Sequence, residues 1–359
     1  MEDFIHLHVH TYYSLLDGQS PVEKLVDKAI ANGMRGMAIT DHGNMFGVKE
    51  LFNYCNKVNG KLKKEGKEPF KPIFGCEMYV AHRKKSDRVK EKGDMGGYHL
   101  IVLAKNYNGY KNLIKLVSRA WVDGYYMRPR TDREDLEKYH EDLIVCSACI
   151  AGEVPAKILK NDIAGAREAI EWYKNLFGDD YYLELQRHEV RDPHQRANRE
   201  TFPLQQQANK VLMELAKEYG IKLVCTNDCH FVNQDNAEAH DHLLCLATGK
   251  DLDDPNRMLY TKQEWFKTRE EMNEVFADVP EALSNTLEIL DKVEFYSIDH
   301  SPIMPFFPIP KEFGTEEDTR KRITPEELFR EFTTDENGND LMSQEDAESK
   351  IKKLGGIDR

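Results

Sequence analysis

The chain has 359 residues, 40% of them hydrophobic and 10% aromatic, enough for one large α/β domain or two smaller ones. Its formal net charge of −13 excludes a module that holds nucleic acid by overall charge, so any contact with DNA has to be local. Seven scattered cysteines, an acidic Met1-Glu2-Asp3 opening and the lack of an apolar run near ~20 residues predict a reduced, cytoplasmic protein without signal peptide or membrane span.

The first 230 or so residues alternate strand-like and helix-like segments. Phe4 to His10 reads as a strand, with Ile5, Leu7 and Val9 on one face and His6, His8 and His10 on the other. Ser20-Pro21-Val22-Glu23 reads as a capping box opening a helix that Gly33 ends. Met37 to Thr40 is a short apolar strand leading into Asp41-His42-Gly43, and helical spacing returns from Val48 to Val58. Strands follow over Pro72–Val80, His99–Ala104, Leu143–Cys146, Tyr181–Gln186 and Lys222–Thr226. Helices are predicted over Tyr110–Ala120, Ala164–Phe177 and Phe202–Tyr219. Some seven strands with intervening helices argue for βαβ units closed into a barrel or laid out as a doubly wound sheet. Beyond Phe231 the pattern weakens to helical segments, one of them around Pro280–Val293, then a proline-rich stretch, Pro302–Pro310. The acidic segment from Lys311 to Arg359, with a polar loop at Asp335–Asp340, is expected to be mobile or to belong to a further domain.

The chemistry-bearing residues gather at strand ends. Period-two spacing puts His6, His8 and His10 on one face of one strand, where two imidazoles can grip one metal centre. Three buried histidines without a metal would each need another partner. Thr40-Asp41-His42-Gly43 ends a buried strand on the side where α/β folds collect ligands; a capping aspartate beside a surface histidine is the competing reading. Asp228-Cys229-His230 repeats that arrangement, and side chains 228 and 230 share a face. Glu77 is a carboxylate in an apolar strand. His99 reaches the same end of the fold if its strand runs antiparallel to that of Glu77. Cys149 and Asp17 lie in loops able to reach the cluster. A zinc ribbon from Cys146 and Cys149 lacks a second close pair, since Cys225 and Cys229 are spaced wider.

With His8-Val9-His10-Thr11, Asp41-His42-Gly43, Glu77, His99 and Asp228-Cys229-His230 in view, the chain resembles the polymerase and histidinol phosphatase (PHP) superfamily. Thr11-Tyr12-Tyr13-Ser14-Leu15-Leu16-Asp17-Gly18, Phe74–Val80, Ser147–Glu153, Leu183-Glu184-Leu185-Gln186 and Pro280–Thr286 are similar to its branch of bacterial polymerase III alpha subunits. The likeness runs from about residue 4 to 310. It implies a distorted seven-stranded (βα)7 barrel over residues 1–280, followed at 281–359 by a helical extension and linker toward a polymerase body. It places metal ligands at His8, His10, Asp17, His42, Glu77, His99, Cys149, Asp228 and His230, and catalytic roles at Asp17, His42 and Asp228. Relatives often carry histidine at the position of Cys149, and Cys146 competes for it; His6 would support the ligands from behind.

The resemblance further implies up to three divalent ions (Zn, Mn or Fe) and metal-assisted phosphodiester hydrolysis, as a 3′–5′ proofreading exonuclease. The substrate would be the primer-template 3′ end, met as part of a longer polymerase among other replisome subunits, away from any membrane. The family's polymerase carboxylates lie further on, so nucleotide polymerisation is not expected of these residues. Arg128, Arg130 and Arg133, near Tyr125 and Tyr126, can hold phosphates and stack bases, and a solvated basic loop explains them equally. Two rivals remain: a metal scaffold without catalysis and a free-standing phosphatase of the histidinol phosphate type.

Overall fold

The computed structural model describes residues 1–190, 196–306, 308, 310–322 and 324–353. Positions 307 and 309 of the proline-rich stretch and 354–359 of the charged tail lie outside the described residues. The chain divides into two compact units, Met1–Asp299 and His300–Arg359.

The first unit is built on seven strands: β1 (Gly36–Ile39), β2 (Lys71–Val80), β3 (Tyr98–Ala104), β4 (Arg130–Thr131), β5 (Leu143–Cys146), β6 (Tyr181–Gln186) and β7 (Leu223–Thr226). They follow one another in the order β1-β2-β3-β5-β6-β7, with the short β4 beside β2. Helices between them make most neighbours parallel. β3 is antiparallel to both β2 and β5, so Tyr79 pairs with His99 and Ile101 with Cys146.

The amino-terminal segment closes this sheet. On one side Ala38 N donates to His6 O (2.9 Å) and Thr40 N to Val9 O (2.8 Å). On the other, Cys229 N donates to His8 O (3.1 Å) and His10 N to Cys229 O (2.7 Å). The segment is extended and bridges both neighbours, so it is the seventh stave of a distorted α/β barrel. Phe4, Leu7, Val9, Ile73, Ile101, Val145, Leu183 and Val224 are buried in one continuous core with the surrounding helices. Removing such side chains from water contributes about 1.5–3 kcal/mol each.

The helix Val22–Ala31 buries Val22, Leu25, Val26 and Ala29 against the barrel. Its start differs from the predicted capping box. Pro21 occupies the cap position and has no side chain to offer, and Ser20, one residue too early, leaves its buried hydroxyl without a hydrogen bond. The helix Pro280–Lys292 lies within the first unit. Its Thr286 hydroxyl accepts from Ile5 N (3.1 Å), and Asn285 Nδ2 donates to Leu223 O (2.8 Å), clasping the first stave and β7.

The second unit holds more regular structure than its composition predicts: helices over Glu316–Arg322, Pro325–Thr333 and Gln344–Lys353. The middle one opens on a capping box, with Glu327 N donating to Thr324 Oγ1 and Thr324 N to the Glu327 carboxylate, and has proline in its first turn. Among the described residues, no helix is long and apolar enough to cross a membrane.

Candidate metal centre

One end of the barrel collects the predicted ligands. His8 and His10 come from the first stave, His42 from the turn after β1, Glu77 from β2, His99 from the start of β3, Cys149 from the loop after β5, and Asp228 and His230 from the loop after β7. The antiparallel run of β3 is what brings His99 back to this end. Its Nδ1 lies 2.7 Å from Glu77 Oε1, and Cys149 Sγ stands 3.6 Å from the same nitrogen. Three groups present ligand atoms mutually within 4.8 Å: His8, His10 and Asp228; His10, His42 and His230; Glu77, His99 and Cys149. Asp17, the ninth predicted residue, joins them through Oδ2, 2.8 Å from His42 Nε2 and 3.7 Å from His230 Nε2.

The far nitrogen of each central ring is tied down, which fixes the near one. His8 Nδ1–H donates to Glu184 Oε1 at 2.7 Å, and Gln186 Nε2 and Thr226 Oγ1 donate to the same carboxylate oxygen. His10 Nδ1–H donates to Ser14 Oγ (2.9 Å), whose own proton goes to Asp41 Oδ1 (2.8 Å). His230 Nδ1–H donates to the carbonyl of Asp228 (2.8 Å). Each ring thus turns its Nε2 inward, the arrangement that outer hydrogen bonds impose on metal-ligating histidines.

His8 Nε2, His10 Nε2, His42 Nδ1, Glu77 Oε2 and Asp228 Oδ1 are buried and have no hydrogen-bond partner. Asp228 Oδ1 lies 3.1 Å from His8 Nε2 and 3.2 Å from His10 Nε2, and Glu77 Oε2 lies 2.6 Å from His42 Nδ1. Buried polar atoms are rarely left this way, because each unmet group costs about 1–3 kcal/mol. Nitrogen and carboxylate lone pairs aimed at shared points fit divalent cations.

The electrostatics agree. Burial opposes ionisation of Glu77, yet the His99, His42 and His8 rings overcome it and hold the carboxyl well below its usual range. Burial also disfavours a charged His8, but Asp228, Glu184 and Glu77 outweigh it and raise its pKa well above the ordinary value. His10 goes the other way, to about 3, through burial and then the neighbouring His42 and His230. Burial, followed by Glu77 and Asp228, pushes the Cys149 thiol up, so a thiolate there needs a cation beside it. The cluster as a whole demands positive charge.

The local backbone is shaped for this task. Asp228 sits at φ 45°, in the left-handed region that aspartate tolerates better than most residues. Gly152 closes the turn that carries Cys149, where a Cβ would come within 2.0 Å of the Ser147 carbonyl.

Some sequence expectations fall elsewhere. His6 donates from Nε2 to the Lys267 carbonyl (2.8 Å), faces Cys229 Sγ and packs on Phe266, so it steadies the core behind the stave and supports no ligand side chain. Arg130 is fully buried and gives its guanidinium protons to the carbonyls of Gly124, Lys85, Asp87 and Asp94. Arg133 pairs with Glu153 (2.9 Å) and lies over the Trp172 ring. Only Arg128 of the three is set over the rings beside the centre, its guanidinium 5.6 Å from the Tyr79 ring. Conversely, Glu184, Ser14 and Tyr260 act at the site without having been singled out. The available sign for Glu184 was a carboxylate in a strand buried at every position. Tyr260, whose hydroxyl donates to Asp17 Oδ1 at 3.2 Å, arrives from an irregular segment with no periodicity to flag it.

A family model described as "PHP domain" matches residues 6–188. DNA polymerase III subunit alpha of Borreliella burgdorferi is 43% identical over 329 residues, covering 90% of this chain and 27% of that protein. The subunit of Treponema pallidum is 38% identical over 331 residues, covering 92% and 26%. The chain therefore spans about a quarter of the length of these curated relatives. Among solved structures, histidinol phosphate phosphatase from Lactococcus lactis matches with a TM-score of 0.35 at 17% identity, covering 64% of this chain and 87% of that one. Since the matched model takes in just over half of the residues, including seven of the nine converging side chains, the chain belongs to the PHP domain family.

Proposed function

We propose that this chain is the metal-dependent phosphoesterase domain of a replicative DNA polymerase alpha subunit, acting as a 3′–5′ exonuclease on mispaired primer ends. The supporting observation is the set of five buried, partnerless donor atoms on His8, His10, His42, Glu77 and Asp228, all facing one another. The identity of 43% and 38% with polymerase alpha subunits supports the replicative setting, with primer-template DNA and replisome subunits as partners in the bacterial cytoplasm. Residues 1–280, with the helix Pro280–Lys292 packed onto them, would be the metal-binding body, and the rest of 281–359 the passage toward a polymerase body.

The nine converging side chains would hold up to three ions, with mixed imidazole and carboxylate donors suited to Zn²⁺, Mn²⁺ or Fe²⁺. Held by these residues, divalent cations would make a water more acidic and stabilise charge on phosphoryl oxygens. Asp228 Oδ1, 3.1 Å from His8 Nε2 and 3.2 Å from His10 Nε2, would join those two imidazoles in holding one ion. His230 and His42 keep the Asp17 carboxyl well below its usual range against the pull of burial, so it stays ionised at the mouth of the site. Burial, then Asp17 and Asp228, keep the Tyr260 phenol protonated, ready to donate to a phosphoryl oxygen.

The test offers the purified chain, with Mn²⁺, a 3′-mismatched primer. Metal-dependent nucleotide release that disappears in a His10→Ala, Asp228→Ala double variant is expected. Bound metal without any release of nucleotides would leave a structural scaffold, and turnover of histidinol phosphate but not DNA would point to a small-molecule phosphatase.

A further inference from the structure

Beside the metal centre runs a groove of about 390 Å³ whose floor includes Asp17 and His42. One wall is aromatic: Trp121 and Tyr125 lie with ring centroids 5.5 Å apart and planes 19° from parallel. They are 44% and 47% exposed. The platform is fixed relative to the cluster, because Trp121 Nε1–H donates to the Gly43 carbonyl (2.7 Å), one residue from His42. Gly43 itself has φ +60°, and a Cβ there would meet the Pro129 ring at 2.6 Å, so the His42 turn and the wall are fitted to each other. Arg128, above Tyr79, adds a cation on the same side. Leu244, Ala247 and Met258 add apolar side chains to its lining.

We infer that this groove is a subsite for the single-stranded 3′ end of DNA, with Trp121 and Tyr125 stacking the terminal bases and Arg128 pairing with a phosphate. The inference rests on the phosphodiester reading of the metal centre and adds what positions the substrate. Exposed stacked rings beside Arg128, in a groove shared with Asp17 and His42, suit the bases and phosphates of a single strand better than a protein face. The chain's charge of −13 leaves little general attraction for DNA, so a local stacking platform is where affinity has to come from.

Binding of the full chain to a fluorescein-labelled oligothymidylate with a 3′-terminal phosphorothioate, loaded with Mn²⁺, tests this by anisotropy and tryptophan quenching. Trp121→Leu and Tyr125→Ser should each weaken binding on the order of 10-fold, with Trp121→Phe, which keeps a ring but loses the bond to Gly43, falling between Trp121→Leu and the parent. Arg128→Met should lower the slope of affinity against salt by about 0.7. Both wall residues are half-exposed, and unchanged metal content with an unchanged melting profile shows that the fold survives. Affinity unaltered in both Trp121→Leu and Tyr125→Ser, or no oligonucleotide binding by the parent chain, overturns the subsite. Trp121-dependent binding with no nucleotide release would uphold the subsite and remove the nuclease reading. Nucleotide release with the same KM in parent and variants would do the reverse.

Discussion

Glu184 holds His8 by a single 2.7 Å hydrogen bond between two fully buried side chains, one on β6 and the other on the first stave. The carboxylate fixes which ring nitrogen faces the cluster and makes it a better donor. Glu184→Gln should therefore lower metal affinity by about 10- to 100-fold while the barrel stays folded. Competition with a graded series of chelators reads the affinity, and an unchanged constant would show that the bond does not tune His8.

Metal removal should cost stability, because the ligands come from the first stave, β2, β3 and loops as late as residue 230. At free metal 100 times its dissociation constant, binding stabilises the native state by about 2.7 kcal/mol. Thermal unfolding with and without chelator should show this shift in the parent and none in the His10→Ala, Asp228→Ala variant. Equal shifts in both would place the bound metal elsewhere.

Arg130 tests the loop that carries the aromatic wall. Its guanidinium serves four carbonyls from inside the protein, so Arg130→Met should leave several buried acceptors unmet and destabilise by about 2–4 kcal/mol. Arg130→Lys should recover little, since an ammonium cannot reproduce the planar fork. Denaturant titration measures both.

The pH dependence has a separate handle in His188, which is fully enclosed and hydrogen-bonds the Asn227 carbonyl and the Gln205 amide. Burial lowers its pKa below the ordinary histidine value, so the folded state keeps it neutral while the unfolded chain protonates below about 6.5. The stability it contributes is present above that pH and is lost as the pH falls below it, with a slope of up to about 1.4 kcal/mol per unit. In chelator, to exclude metal release, the parent should lose more stability than His188→Gln between pH 7 and 5.5. Identical losses would assign the acid sensitivity to other groups.

Much of this was legible in the residues. Tyr181–Gln186 and Phe202–Tyr219 match the predicted elements residue for residue, because apolar runs bounded by breakers leave little choice of boundary. The alternation at His6, His8 and His10 gave the shared face, but not that the face dips inward, so that His6 ends up against Lys267 and Phe266. Arg130 could not be told from Arg128 by composition: only the fold shows that β4 buries one while the neighbouring turn exposes the other to the groove. Trp121 was hidden for a similar reason, since it occupies an outward position of a well-formed helix and its hydrogen bond to Gly43 spans 78 positions.

The seam between Val9 and Cys229 has a consequence for biosynthesis. The two edges joined there lie some 220 positions apart, so the ring is left unclosed until nearly the whole unit has left the ribosome. Until then His8 and His10 have no Asp228 to meet, so a cation held by all three would bind only after residues 220 positions apart have come together.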